Sequence, residues 1–390
     1  MRVAFETGKK ITMREKLELK IIAFNSLTDD LRDKWKELEN ANEPYIFQRY
    51  SWNAYWYQIF REVYHFHIIL ISIQSKPVAI FPLCINKRGM IRFLQFIGTG
   101  QSDYLSPLMD KHFNFSKVIW EMVLAEIKGS YDIIRLDKMP DKIKGEENQF
   151  IQPIGAKISG LSFGLRLPDT YLEFDSSLKR SFRNDNKRNL KRLAEFRNLQ
   201  FLKVDISSNV PLDFRKYIDV SLEQKARRLK NYMGNETLED SLVQNFYRNS
   251  YLIEDDKYKL DFTVLTVTDN NVLATHWGFF DNDRYYFLFP TMEGKEWYKY
   301  SCGKVLIDHL IEFAISKRLK FYDFTIGDEN YKKDWCNEQM SLFSYMKAKS
   351  FPGFLYLYYH EIIARIRANK YAKTAWRDIK ARIVQSRKMK

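Results

Sequence analysis

The stretch FYDFTIGDENYKKDW, residues 321–335, runs as alternating apolar residues into a glycine and then crowds ionisable groups together. Asp323 shares a strand face with Phe321 and Thr325, because side chains alternate along a strand. A carboxylate among such neighbours is costly unless a cation or a ligand pairs with it, and Lys332 and Lys304 are candidate cations. Asp328 and Glu329 follow Gly327, with Tyr331 and Lys332 close behind. Ligands of α/β sheets gather at the carboxyl ends of parallel strands, so this set could accept an acceptor's proton or supply one to a leaving group. The structural alternative is that Asp328 caps a short helix running to Trp335. His276, in LATHWGFF, breaks an apolar strand. It titrates near neutrality and is either a general base or a hydrogen-bonded core histidine.

A second constellation lies in YKYSCGKVLIDHLIEFA, residues 298–314. Ser301 reads as a helix N-cap, and Gly303 lets a ligand approach the first turn. Free N–H groups, the positive end of the helix and Lys304 together suit a pyrophosphate, flanked by Tyr300 and Cys302. The spacing is neither a P-loop nor GxGxxG, and an ordinary cap is the alternative. Asp103 and Tyr104, just beyond GTGQS, are candidates for binding an acceptor, as are Glu223, Gln224 and Arg227 on one side of a connecting helix. Their structural alternatives are an Asx-turn and surface ion pairing. Trp52, Trp56 and Trp277 offer stacking faces for a sugar or simply fill the core.

The elements that must position these groups repeat. Residues 65–98 read as three strands broken at Ser75-Lys76-Pro77 and Lys87-Arg88-Gly89. Residues 260–290 do the same, broken at Asp269-Asn270-Asn271 and Asp281-Asn282-Asp283. In each copy a helical pattern follows (117–128, then 303–318), and then another strand (131–139, then 320–328). A strand, helix and strand imply a right-handed parallel crossover after an antiparallel meander. The pattern predicts two tandem mixed α/β sheets flanked by helices. Residues 175–247 between them read as mostly helical, and 354–390 as a basic helical tail.

With 390 residues, 45% of them hydrophobic, the chain can bury a large core. Cys84, Cys302 and Cys336 form no CxxC pair, so neither a disulfide frame nor a thiolate metal site is expected, which fits the reducing cytoplasm. The first twenty residues lack a signal-peptide core, and no run approaches ~18 apolar residues. The net charge of +14 is concentrated: residues 179–203 hold nine basic and two acidic groups, and residues 361–390 hold ten and two. The remainder is close to neutral, so two discrete segments either face phosphate, nucleic acid or an anionic membrane or form solvated helix faces, the commoner role of a single basic run.

An ordered set of motifs resembles the CelD-like, polysaccharide-associated branch of the GNAT acetyltransferases. FYDFTIGDENYKKDW is similar to its FDF-type strand, Gly-Asp-Glu turn and Tyr-Lys-x-x-Trp. PYIFQRYSWNAYWYQIF, PVAIFPL, IGTGQSDYLSPL, EQKARRLKNYMG and KYSCGKVLIDHLIEFA resemble further landmarks in the same order, over residues 45–345. Cys302 before Gly303 and the long basic tail depart from the pattern. The two-domain arrangement also resembles the Fem-type aminoacyltransferases. The resemblance implies tandem GNAT domains, at 18–165 and 166–353, with a helical insertion at 176–250. It implies transfer of an acyl group from acetyl-CoA or another acyl-CoA to an amine or hydroxyl, with a sugar of cell-surface polysaccharide as acceptor. No covalent enzyme intermediate is needed, which suits a chain without a Ser-His-Asp or Cys-His pairing. His276, Asp323, Asp328, Glu329, Tyr331 and Lys332 would be the catalytic set, and Tyr300, Ser301, Cys302, Gly303 and Lys304 the cofactor site, with no metal. The first domain's helix start, NFSKVIWEMV, lacks a glycine and is expected to hold no cofactor. The rivals are tRNA-fed aminoacyl transfer, with the basic 179–203 segment on RNA, and a non-catalytic partner of a membrane synthase held by 361–390.

Overall fold

A computed structural model of the chain describes residues 19–206, 212–230, 236–267 and 271–368. The first half begins with β1 (Leu19–Phe24), α1 (Asp29–Asn42) and α2 (Tyr50–Phe60). Thr28 caps α1 through its side chain, and Asp29 and Asp30 favour the helix's positive end. The meander follows as β2 (His65–Ile73), β3 (Lys76–Arg88) and β4 (Ile91–Phe96). Its first turn is Gln74-Ser75, both at positive φ, which matches the twist of a two-residue hairpin. Then come β5 (Leu108–Met109), α3 (Lys117–Ala125), β6 (Ile133–Pro140), the small hairpin of β7 (Lys142–Ile143) and β8 (Glu146–Glu147), α4 (Ile151–Ile154) and β9 (Lys157–Arg166).

The second half opens with α5 (Tyr171–Ser177) and the basic α6 (Arg180–Ala194). A short strand, β10 (Gln200–Lys203), interrupts the expected helical region, which resumes as α7 (Leu212–Lys230), α8 (Glu236–Glu239) and α9 (Ser241–Arg248). The second meander is β11 (Lys259–Val267), β12 (Asn271–Phe280) and β13 (Arg284–Met292). The turn at 281–283 is held as expected by an Asx side chain: Asp281 accepts from the N–H groups of Asp283 and Arg284. α10 (Cys302–Ser316), β14 (Phe321–Ile326), β15 (Glu338–Ala348) and α11 (Phe351–Ala368) complete the chain, so the C-terminal helix starts three residues before the predicted tail.

Both copies of the β-β-β-α-β unit are present, each with a parallel closing pair, β4 with β6 and β13 with β14. The two mixed sheets are fused. The strand order is β1-β2-β3-β4-β6-β15-β9-β14-β13-β12-β11-β10, with β5 on β3. Two strands exchange sides at the junction: β9, which ends the first half, pairs with β14, and β15, which ends the second, pairs with β6. β9 and β15 then pair with each other, so the backbone ladder runs unbroken across the molecule. Motif spacing could not show this, because each copy reads as complete without those strands.

The halves also share a core. Trp52 packs on Phe246, Trp277 and Phe279. Tyr55 donates to the Phe246 carbonyl (2.7 Å) and Tyr258 to that of Pro44 (2.7 Å). Arg49, almost wholly buried, is matched by Asp255 (2.7 Å), Asp256 and Glu39. A buried guanidinium is tolerable only when its charge is answered in this way.

Candidate functional site

β13 and β14 stay paired only through Arg284–Phe321, Tyr285–Tyr322 and Tyr286–Asp323. β13 then continues to Met292 and β14 to Ile326 without a common ladder, so the strands part into a wedge. Irregularities on both sides drive the parting. Thr325 sits at φ 57 where the β14–β9 register shifts. β12 bulges between Trp277 and Phe279, where a Cβ on Gly278 would collide with the Tyr286 carbonyl. At the apex, Thr325 Oγ1 lies 3.4 Å from the Phe287 carbonyl.

α10 starts against the β13 wall of this wedge. A Cβ on Gly303 would come within 3.1 Å of Met292 Sδ, so only a small residue leaves room there. Ser301 holds the N-cap position in the left-handed region, φ 50, and its side chain caps nothing. Lys304 N–H bonds the Ser301 carbonyl (2.8 Å), and the N–H groups ahead of it in the first turn are left for another acceptor. α6 lies alongside. Arg192 stacks over Tyr300 (4.7 Å) and donates to the Lys299 carbonyl (2.9 Å), while Lys304 sits over Phe182 (4.7 Å). Three cations, Arg192, Lys299 and Lys304, therefore surround the helix start. Cys302 is buried, with its thiol pushed up to about 12 by burial, so it is packing rather than a nucleophile.

The mouth of the wedge lies at the seam of the halves, and polar and charged groups of both halves converge on it. Lys225 of α7 donates to the Pro290 carbonyl of β13 at 3.2 Å and lies over Phe289. Burial, with the nearby Arg228 charge, lowers its ammonium to about 8, opposed by Asp103 and Glu329. Asp103, from the loop after β4, pairs with Lys138 of β6 at 3.8 Å. Its carboxyl is raised by burial and held down in part by Lys138, a hydrogen bond from Thr325, and Lys332. Tyr247 of α9, buried, feels the Asp103 charge and is kept neutral.

The residues singled out from sequence are distributed as follows. Asp323 is 1% exposed and saturated: it accepts from Tyr104 Oη (2.7 Å), Arg284 (2.7 Å) and its neighbour Thr325 N–H (2.8 Å). Its cation is Arg284, not Lys332 or Lys304, because Arg284 opens the strand lying parallel to β14. Tyr104 and Asp323 thus tie one half to the other. Lys332, 3% exposed, donates to the Ile326 carbonyl (2.6 Å), lies near those of Thr325 and Gly327, and pairs with Glu329 (3.0 Å), gathering the end of β14. Asp328 pairs with Lys333 (3.2 Å), and Glu329 holds the N-cap position of the 3-10 turn Asn330–Asp334 instead of Asp328. Tyr331 is half-buried, its hydroxyl held neutral by burial and by Glu329.

His276 is fully buried, stacked on Phe287 (4.5 Å), with Nδ1 3.0 Å from Tyr285 Oη. Burial, with Lys203 and Lys225 nearby, keeps the ring neutral. Tyr285 donates to Asp261 (2.5 Å), so His276 Nδ1–H donates to Tyr285, and Nε2 is left without a partner in the core. Gln224 is buried and bonded to Thr291 and the Val272 carbonyl, Arg227 pairs with Glu293 (2.6 Å), and Glu223 is exposed. Trp52, Trp56 and Trp277 are all core.

Sequence reasoning passed over Lys225, Lys138, Tyr247 and Arg284. Lys225 did leave a signal. Phe214, Ile218, Ser221 and Leu222 mark the buried stripe of α7, and Lys225 is its next position, a lysine where an apolar residue is due. Lys138 and Tyr247 become neighbours only through the fusion of the sheets, and Arg284 meets Asp323 across the β13–β14 pair.

Residues 180–333, from α6 to the turn after β14, match the family model described as an acetyltransferase (GNAT) domain. No curated protein matches the chain. Among solved structures, the chain is similar to the crystal structure of FemX, with a TM-score of 0.53 and 12% identity over 84% of this chain and 97% of that one. It is also similar to a conserved protein of unknown function from Bacteroides thetaiotaomicron, with a TM-score of 0.50 and 9% identity over 85% and 99%. At such identity the likeness is one of fold. The chain is a mixed α/β protein with GNAT-like topology, and its second half carries the segment that the acetyltransferase domain model matches.

Proposed function

We propose that the protein is an acyltransferase of GNAT type, moving an acetyl or other acyl group from acyl-CoA to an amine or hydroxyl. The observation that carries this reading is the wedge between β13 and β14 with an uncapped, cation-flanked helix start on its wall. An extended pantetheine arm suits a strand edge left without a partner, and a pyrophosphate suits the start of α10. Gly303 would allow its approach, and Arg192, Lys299 and Lys304 would answer its charge.

The thioester would then lie within the wedge, next to Lys225. The Lys225 amine, neutral in part at physiological pH, accepts the proton of the acceptor as its N or O forms a bond to the acyl carbon. The C–S bond breaks, and the departing thiolate, hydrogen-bonded by the neutral hydroxyl of Tyr331 or Tyr247, takes up the proton that Lys225 received. Asp103 binds the acceptor from the opposite half. The acceptor we favour is an amino sugar or sugar hydroxyl of cell-surface polysaccharide, as in the CelD-like branch the motifs resemble, in the reducing compartment that three unpaired cysteines suit.

The test is the melting temperature with acetyl-CoA, free CoA and, as control, ATP. A ligand at ~100 times its dissociation constant adds roughly 2.7 kcal/mol. Stabilisation by both CoA species, lost in Gly303→Glu, supports the reading; no shift with either sinks it. One observation favours a second reading, tRNA-fed aminoacyl transfer: the basic α6 lies directly against the start of α10. That reading requires tight RNA binding that weakens steeply with salt.

A further inference from the structure

One face of α11 is docked. Lys349 N–H bonds the Asp132 carbonyl (2.8 Å), Ser350 Oγ donates to the Asp132 carboxylate (2.6 Å), and Gly353 rests so closely on that carbonyl that a Cβ would collide with it. Tyr356 packs on Phe93 of β4 (5.4 Å), and Ile363 is buried. The other face is bare. Phe351, Phe354, Leu355, Tyr358, Tyr359 and Ile362 are 37% to 72% exposed, and their spacing lines them up along one side of the helix. No contact within the described chain covers this stripe, and six adjacent exposed apolar side chains mark an interaction surface.

We propose that this stripe docks on an anionic lipid surface, with α11 lying in the plane of the interface. Three observations choose that occupant. The stripe is rich in Phe and Tyr, whose rings suit the boundary between headgroup and acyl chain. It runs into residues 361–390, which carry ten basic and two acidic groups, so the partner must be negative. A second copy would bring two such segments together, and like charges oppose that assembly. Among the described residues no helix is long and apolar enough to cross a membrane, so the helix lies on the surface and does not span it. The strand beneath α11 adds a second element: the β3–β4 hairpin ends in Met90, 89% exposed, between Arg88 and Arg92. Residues 369–390, most of the expected basic tail, lie outside the described residues.

The test is flotation of the full chain with vesicles of phosphatidylcholine alone or mixed with phosphatidylglycerol. The chain binds the mixed vesicles only, and salt weakens binding. The triple substitution F354S/L355S/Y358S keeps every charge and lies at exposed positions, so the melting temperature and its response to acetyl-CoA stay as in the wild type. It lowers the partition coefficient about tenfold or more. Met90→Ser lowers it less. The proposal is overturned if the wild type does not float with the mixed vesicles, or if the triple variant floats as well as the wild type, which would leave the charged segment as the sole anchor. It is also overturned if sedimentation shows a dimer that the triple variant dissolves and no flotation.

Discussion

The two halves begin from the same unit and end in different states. In the first, β4 and β6 also part early, pairing only through Phe93–Ile133 and Leu94–Ile134. There the loop 98–106 is stitched to β6: Leu105 N–H donates to the Lys138 carbonyl (3.0 Å) and Lys138 Nζ to that of Ser102 (2.7 Å). Trp52 clamps the Ser102 hydroxyl from α2 (2.8 Å), and Phe150 packs against Phe96 and Phe81. The helix after the meander, α3, is closed by Ser116, whose side chain accepts from Ile119 N–H. In the second half the strands part, the helix start lacks a side-chain cap, and cations stand around it. A duplicated fold can thus carry one site, with the other copy's opening used to build the facing wall: Asp103 and Tyr104 belong to the very loop that is stitched to β6.

The sharpest way to break this comparison is at Lys225. Lys225→Met is expected to lower the transfer rate to an amine acceptor by roughly 10²–10⁴-fold, the range of general acid–base catalysis. The acetyl-CoA melting shift should persist. The wild-type rate should rise through a pH of about 8 and level off, since the base is the neutral amine, and the variant's profile should be flat there. Stability gives an independent check. The ammonium is lowered from 10.5 to about 8 on folding, so between those values the unfolded chain binds more protons and stability increases with pH. Lys225→Met should remove that slope.

Next in size is the tie between the halves. Asp323→Ala leaves the Arg284 charge unanswered in a buried site and is expected to cost about 3–5 kcal/mol, read by denaturant titration. Tyr104→Phe removes one hydrogen bond to that carboxylate and should cost about 1.5–3 kcal/mol. Gly303→Glu should remove the roughly 2.7 kcal/mol that saturating acetyl-CoA adds, over and above what the new side chain costs in stability against Met292 Sδ. The first half should answer differently. Gly98→Ala, at φ 91 with Ser102 Oγ in the path of the new Cβ, is expected to destabilise by more than ~1 kcal/mol. Ser116→Ala should cost about 1 kcal/mol, the usual loss of an N-cap. Both should keep the full response to acetyl-CoA; a CoA response that depends on Ser116 would place ligand in the first half and undo the comparison.

Local chemistry was legible in the sequence wherever it is decided by neighbours along the chain. The meanders, their Asx and glycine turns, the crossover helices and the start of α10 follow from periodicity and turn residues, and both copies lie close to where the pattern put them. The stretch at 321–335 was correctly read as a strand ending in a polar turn, since a run of alternating side chains closing on Gly327 at φ 114 leaves the backbone little choice. What each polar group does was decided by residues far away in sequence. Asp323 looked available until Tyr104 and Arg284 closed on it, and Lys332 turned to the carbonyls at its own strand end. Lys225, one buried position along a helix, acquired its altered acidity from burial and the Arg228 charge, and the fused sheets bring Asp103 of the other half to oppose that shift. Periodicity is a property of adjacent residues, whereas burial and electric field are set by everything within a few ångströms, whatever its place in the chain.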